Sequence, residues 1–241
     1  MPGRAAPGPR SRSRSICFPA GAVSCERAGH ASRDPMKFID ISRPIHTGMP
    51  VWPGDTPAEF LHVATIPGGS ACNIGRLRMS AHSGTHADAP FHYNQEGAKI
   101  DELPADLFVG PARVVDIRGH ATITPDLLAA HDFNGTPRVL FKSDTWTDPA
   151  VFPPAWPLLR LDTPAWLAAR GVRLIGLDVP SVDALTTTDM AVHHALDAAG
   201  IIILENLDLR AVAPGTYDLI ALPLRITGGD GSPIRAILRQ D

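Results

Sequence analysis

The chain has 241 residues, of which 44% are hydrophobic and 20% charged. Its apolar runs are far shorter than the roughly 20 residues that cross a bilayer, which excludes a helical membrane protein, and a chain of this length can close a core without disulfide staples. The formal net charge of −3 exerts no global pull toward nucleic acid or an anionic membrane, so function has to reside in a local site.

That charge is a sum over unlike parts. Residues 1–35 hold six arginines (Arg4, Arg10, Arg12, Arg14, Arg27, Arg33) against Glu26 and Asp34, a balance of +4 that leaves −7 for the rest. The segment is rich in Pro, Gly, Ser and Arg, has neither helical nor strand periodicity, and reads as a disordered extension. Ile16–Val23 is interrupted by Pro19 and Gly21, so it lacks the apolar stretch of an export signal. Composition changes abruptly at Met36, which reads as the true start of a single domain over 36–241. Without interleaved aromatics the tail predicts no nucleic-acid partner. From Met36 onward there is one cysteine, Cys72, which excludes an internal disulfide and thiolate-rich zinc sites, fits a reducing cytoplasm, and reads as a small core hydrophobe.

Phe38–Ile41 alternates as a short strand, and Pro50-Val-Trp-Pro-Gly-Asp55 is a turn that displays Trp52 on a loop. Glu59–Ile66 and Asn73–Met79 read as strands joined at Pro67-Gly-Gly-Ser70. The following segment, Ser80 to His92, fits neither period. Ala112–Ile117 and Arg138–Phe141 are strands separated by a short helix that Thr124-Pro125 opens and that runs to about His131. Thr163-Pro164 opens a helix closed by Gly171, and Val172–Asp178 is strand-like. Asp189–Ala199 is a helix closed by Gly200, leading into the strand Ile201–Leu204. Tyr217–Arg225 and Pro233–Leu238 flank a hairpin at Gly228-Gly-Asp-Gly231. The order predicts one α/β domain with a mixed sheet.

Ten histidines are present, and three of them lie with an aspartate inside eleven residues: His82, His86, Asp88 and His92. In a straight strand, at about 3.3 Å per residue, His82 and His86 would stand roughly 13 Å apart, too far for one ion with metal–nitrogen bonds near 2 Å. In a helix, Asp88 would point away from both. A bent chain satisfies all of them, and Gly84 and Pro90 are the residues that bend one. Asp88 can bridge two ions if further donors arrive from elsewhere. His193 lies seven residues, about 10 Å, below Gly200 on a helix. Glu205 lies four residues beyond Ile201, about 13 Å along a strand. An antiparallel return therefore brings the two to the same height. Periodicity does not separate His193 from His194 as the donor, and Glu205 could instead cap a loop or pair with an arginine. Two divalent ions facing Asp88, Glu205 and a hydroxide would nearly balance in charge, and such a pair presents hydroxide at neutral pH and polarises a carbonyl, the chemistry of amide or ester hydrolysis. His92, left over, suits proton transfer to a departing amine. His46, His62, His120 and His131 have no constellation around them. Trp52 can be a loop residue packed on the core.

The run His82-Ser-Gly-Thr-His-Ala-Asp-Ala-Pro-Phe-His92 resembles the His-x-Gly-Thr-His-x-Asp-x-Pro-x-His signature of the cyclase-like metal-dependent hydrolases, and within them the bacterial kynurenine formamidases. The resemblance runs from about Lys37 to Arg239. It takes in Ile39-Asp-Ile-Ser-Arg-Pro-Ile45, Pro50-Val-Trp-Pro-Gly-Asp55, Leu174-Ile-Gly-Leu-Asp178, His193-His194, Ile203-Leu-Glu205, Ala221-Leu-Pro-Leu224 and Ser232-Pro-Ile-Arg-Ala236. It implies a mixed, barrel-like sheet flanked by helices, of swivelling β/β/α type, in a homodimer. It implies two Zn²⁺ per subunit, with Mn²⁺ as the alternative: His82, His86 and Asp88 on the first ion, Asp88 and Glu205 bridging, His193 on the second, His92 as proton donor and acceptor, and Trp52 bordering the substrate. The implied reaction is hydrolysis of N-formyl-L-kynurenine to L-kynurenine and formate in tryptophan degradation, with isatin-like cyclic amides as the alternative substrate. Lys142-Ser143 departs from the arginine-threonine pair expected after its strand, which predicts altered contacts beside the site.

Overall fold

The computed structural model describes residues 37–133 and 135–240. The expectations for residues 1–35 and for a start at Met36 lie outside them. In chain order the elements are β1 (Lys37–Asp40), β2 (Glu59–Ala64), β3 (Ile74–Arg78), β4 (His86–Asp88), β5 (Val109–Asp116), β6 (Thr122–Ile123), α1 (Pro125–Leu128), β7 (Arg138–Lys142), β8 (Leu158–Leu159), α2 (Thr163–Ala168), β9 (Leu174–Leu177), α3 (Ala191–Ala198), β10 (Ile202–Glu205), β11 (Gly215–Ile220), β12 (Gly231–Pro233) and β13 (Ile237–Gln240). Three 3₁₀ turns, at Pro90–His92, Ile100–Glu102 and Ala105–Leu107, complete the set.

Nine strands form one mixed sheet in the order β1-β13-β11-β5-β7-β9-β10-β4-β12. Its middle, β5-β7-β9-β10, is parallel, and every pairing outside it is antiparallel. Parallel strands are covered on both faces, and β7, β9 and β10 are buried along their whole length, which is why their sequences are continuous apolar runs rather than alternations. Successive residues nevertheless serve opposite faces. Leu140, Leu174 and Leu204 join Leu219 and Leu238 in a core enclosed by the sheet's own curl. Phe141, Ile175 and Ile203 join Leu128, Leu167 and Leu196 of the three α-helices in a second core on the other face. The expected barrel-like mixed sheet is therefore present as a curled half-barrel, with its α-helices on one face only.

Several local expectations need correction. The segment carrying the histidines is not wholly irregular, because His86–Asp88 is a buried strand between β10 and β12. The hairpin expected across Gly228–Gly231 forms as the antiparallel pair β11–β13, whose register the Pro223–Ile234 bridge continues, but it is open near its turn, where Gly231–Pro233 pairs with β4 instead. Pro223 has no N–H to continue a ladder. Met190, with φ of +47°, delays α3 to Ala191. Cys72 is exposed in the β2–β3 connection, because that hairpin forms a sheet of its own and has no core to offer it.

Candidate metal centre

The C-terminal ends of parallel strands are where α/β sheets expose backbone for a site, and Glu205 is the last residue of β10. The register pairs Glu205 with His86 and Ile203 with Asp88. Directly paired residues share a face, so His86, Asp88 and Glu205 all project from the helix-covered side. The chain reaches β4 through the predicted bend. Gly84 sits at φ +67°, and its carbonyl accepts from His86 Nδ1 at 2.9 Å and from Asn206 Nδ2 at 3.0 Å. That bend returns His82 to within 2.9 Å (Nδ1) of Asp88 Oδ1. From across the core, α3 delivers His193, whose Nε2 lies 3.7 Å from Asp88 Oδ2 and 3.8 Å from Glu205 Oε1. His194 is exposed, so the helix brings His193 and not its neighbour to the carboxylates.

Among the described residues three donor groups result, in each of which the atoms lie within 4.8 Å of one another: His82/His92/Asp230, which is only half-buried, and two deeper ones, His82/His86/Asp88 and Asp88/His193/Glu205. Asp88 belongs to both of the deeper ones. Bonds of about 2.0–2.1 Å at tetrahedral angles place donors about 3.3 Å apart. The separations His86 Nε2–Asp88 Oδ1 (3.3 Å) and His86 Nε2–Glu205 Oε2 (3.6 Å) are of that size, beyond the usual hydrogen-bond range. His86 Nε2 and Asp88 Oδ2 are buried with no hydrogen-bond partner, a costly state unless a cation completes them. Each histidine also has its other nitrogen engaged: His86 by Gly84, His193 by Asp183 at 2.7 Å, and His82 Nε2 by Asp230 at 3.1 Å. Such partners fix tautomer and ring orientation in metal sites.

Electrostatics carry the same signature. Burial pushes His82 and His193 down, but bonds to Asp230 and Asp88 for the first, and to Asp183 and Asp88 for the second, outweigh it and hold each at about 10. Burial would raise Asp88, yet the surrounding imidazoles of His193, His82 and His86, the second hydrogen-bonded to it, keep it well below the carboxylate range. Glu205, lacking such bonds, is driven well above that range by burial and by the neighbouring Asp88 charge. In the bare protein, protons on imidazoles thus stand in for cationic charge. His92 follows the 3₁₀ turn at Pro90 and stacks on His82 with ring centroids 3.9 Å apart; burial lowers its pKa below the ordinary imidazole value, leaving it neutral at pH 7.

These groups open into a cavity of about 350 Å³ whose wall includes Trp52, Pro180, Thr188 and Met190. Trp52 is both packed and exposed to the cavity: Phe152 and Trp156 hold it edge-on at 5.8 and 6.1 Å. Glu205 takes a hydrogen bond from the Val182 N–H at 3.1 Å, and no arginine pairs with it among the described residues. Lys142 and Ser143 do not reach the cavity, contrary to the expectation of altered contacts there. Lys142 Nζ donates to the carbonyls of Leu209, Arg210 and Val212, and Ser143 Oγ to Asp178. Sequence reasoning missed Asp183 and Asp230. The first stands ten residues from His193 with no helical relation to it, and the second was absorbed in a turn signal.

A family model described as "Putative cyclase" matches residues 39–184. The kynurenine formamidase of Salinibacter ruber is 46% identical over 207 residues, 85% of this chain and 98% of that protein. That of Bacillus cereus is 43% identical over 203 residues, 84% of this chain and 97% of its own. A solved structure described as a potential metal-dependent hydrolase with cyclase activity superposes with a TM-score of 0.74 at 32% identity, covering 86% of this chain and 99% of that one. Isatin hydrolase A from Labrenzia aggregata superposes with a TM-score of 0.75 at 25% identity, covering 85% and 93%. With the signature segment and α3 together supplying a shared carboxylate and three oriented imidazoles, the chain belongs to the cyclase family of metal-dependent hydrolases, in the branch of the kynurenine formamidases.

Proposed function

We propose that the protein hydrolyses N-formyl-L-kynurenine to L-kynurenine and formate, in the kynurenine route of tryptophan degradation, at a two-zinc centre. The observation that carries this is Asp88, shared between two groups of donor atoms that include unpartnered, buried His86 Nε2 and Asp88 Oδ2. His82, His86 and Asp88 would hold the first ion, His193 the second, with Asp88 and Glu205 spanning both. Three imidazoles with two carboxylates suit zinc, with manganese as the alternative. When bound, such ions polarise a carbonyl and bring water to hydroxide at neutral pH. The chain's own residues do the rest. Trp52 provides a wall for the substrate's aryl ring. His92, neutral at pH 7, takes the proton of the attacking water and returns it to the aniline nitrogen as the C–N bond breaks. Asp183 and Asp230 hold His193 and His82 in register for the ions.

The purified protein is expected to release formate from N-formylkynurenine, to lose that activity on chelation and to regain it with zinc. One metal or none per chain in active protein would overturn the two-zinc assignment. The likeness to isatin hydrolase A motivates the alternative substrate; a faster rate on isatin than on N-formylkynurenine would favour it over the formamide.

We also assign a homodimer. The β2–β3 hairpin stands in a two-stranded sheet with Phe60, Val63, Ile66, Ile74 and Leu77 each 47–58% exposed. A lone two-stranded ribbon is marginal in water, and an apolar one needs cover. Beside its root lies a groove of about 960 Å³ edged by Ile45, Leu224 and Ile226, so one surface carries both an arm and a slot, the self-complementarity of a two-fold interface. A free, exposed Cys72 supports a reducing, cytoplasmic location; among the described residues no helix is long and apolar enough to cross a membrane.

A further inference from the structure

The donor cluster and Trp52 account for the formamide and the aryl ring of the proposed substrate, but not for its amino-acid arm, which leaves the ring through a ketone ortho to the formamide and ends in an ammonium and a carboxylate. Among the described residues, the cavity wall contains no lysine or arginine. Apart from the donor cluster and His92, its ionisable residues are Asp183 and Asp55. Asp183 is fully engaged: its carboxylate accepts from the backbone N–H groups of Val192 and His193 and from His193 Nδ1. Asp55 is not. Its Oδ1 accepts from the Thr56 N–H at 2.5 Å, and no cationic side chain pairs with it among the described residues.

The position of Asp55 is fixed by the same turn that fixes Trp52. The Asp55 N–H donates to the Trp52 carbonyl at 2.9 Å, and Gly54 between them has φ of +89°. Proline at the second position and a left-handed glycine at the third make Trp52-Pro53-Gly54-Asp55 a type II turn, whose first and fourth residues lie within about 7 Å of each other at its open end. Phe152 and Trp156 anchor the indole, so the carboxylate is anchored with it. A ring laid on Trp52 with its formamide toward the histidines sends an ortho arm, four bonds long to its nitrogen, along the wall that holds Asp55.

We propose that Asp55 recognises the ammonium of the substrate's amino-acid arm and is a specificity residue for α-amino-acid formamides. This rests on the formamidase reading above. An unpaired carboxylate in a wall without cations favours an ammonium and disfavours an arm that carries only a carboxylate.

The test compares kcat/KM for N-formyl-L-kynurenine with that for its desamino analogue, 4-(2-formamidophenyl)-4-oxobutanoate, in the zinc-loaded wild type, Asp55→Asn and Asp55→Glu. The wild type is expected to prefer formylkynurenine by about tenfold or more. Asp55→Asn should lower that value about tenfold, chiefly through KM, while the analogue changes less than threefold, and Asp55→Glu should restore part of the preference. Equal losses on both substrates, or no loss on formylkynurenine, would overturn the assignment. Should the variants fold poorly, inhibition of the wild type decides: L-kynurenine should inhibit more strongly than desaminokynurenine, and equal inhibition overturns the proposal. A wild type that releases formate from neither formamide would overturn the formamidase reading itself, an outcome distinct from loss of discrimination.

Discussion

His92 shows how a side chain acquires a role from what it does not bind. His86 and His193 each have one nitrogen held by Gly84 or Asp183 and the other turned to the carboxylates, while His82 is held by Asp230 on one nitrogen and by Asp88 on the other. His92 has no such hydrogen bond; its Nδ1 lies 3.9 Å from Asp230 Oδ2, and its ring stacks on His82. Burial lowers its pKa, and nearby cations would lower it further, so both favour the neutral form that acts as a base. His92→Ala is expected to reduce turnover by about 10²–10⁴, the usual worth of a positioned acid–base group, while zinc content and melting temperature remain those of the wild type. Turnover within threefold of the wild type would remove His92 from proton transfer.

Among the elements, β4 and β12 place the donors as much as the donors' own chemistry does. Gly231 pairs with Asp88, and a Cβ at that position would lie 2.7 Å from His82 Cε1 and 3.0 Å from the Ala87 carbonyl. The imidazole cannot yield, since Asp88 and Asp230 hold it from two sides. Gly231→Ala is therefore expected to lower zinc retention after dialysis and formate release by about tenfold, with the melting temperature of the zinc-free protein little changed; full zinc retention would show that the strand has room to shift. What the sequence disclosed about these elements follows from locality. Gly84 and Pro90 announced the bend because backbone conformation is written in single residues. Nearly equal lengths of helix and strand on either side of Gly200 brought His193 and Glu205 together, because both elements have fixed rises. The partner of β12 was not legible, since β4 lies about 140 residues earlier and nothing local encodes that pairing. Asp183 and Asp230 were hidden for the same reason: they meet their histidines through tertiary packing alone.

At the scale of the whole molecule, the proposed dimer rests on two surfaces. If the β2–β3 arm of one copy seats in the apolar groove of another, charge placed on the arm should separate them: Phe60→Asp with Leu77→Asp is expected to shift the mass measured by light scattering from two chains to one, and a wild type that already runs as one chain would remove the dimer. The donors come from three stretches of chain, β4 with the bend before it, α3 and β10, so bound ions would cross-link the fold and stabilise it by mass action. Without metal, His82 and His193 take over part of that work as cations paired with Asp88, Asp183 and Asp230. Both have folded values near 10, above the unfolded value of about 6.5. Their contribution is complete below about 6.5 and is lost as pH rises through 10, because the folded state binds more protons than the unfolded one in that interval. Zinc-loaded protein has no protons on those nitrogens to lose. The melting temperature of chelated protein is therefore expected to fall from pH 7 to pH 10 more steeply than that of the zinc-loaded form, and zinc binding at pH 7 should release protons, seen calorimetrically as a heat that varies with the ionisation enthalpy of the buffer. Parallel melting curves and a buffer-independent heat would mean that the imidazoles are already neutral in the metal-free protein and that the carboxylates alone hold the empty site together.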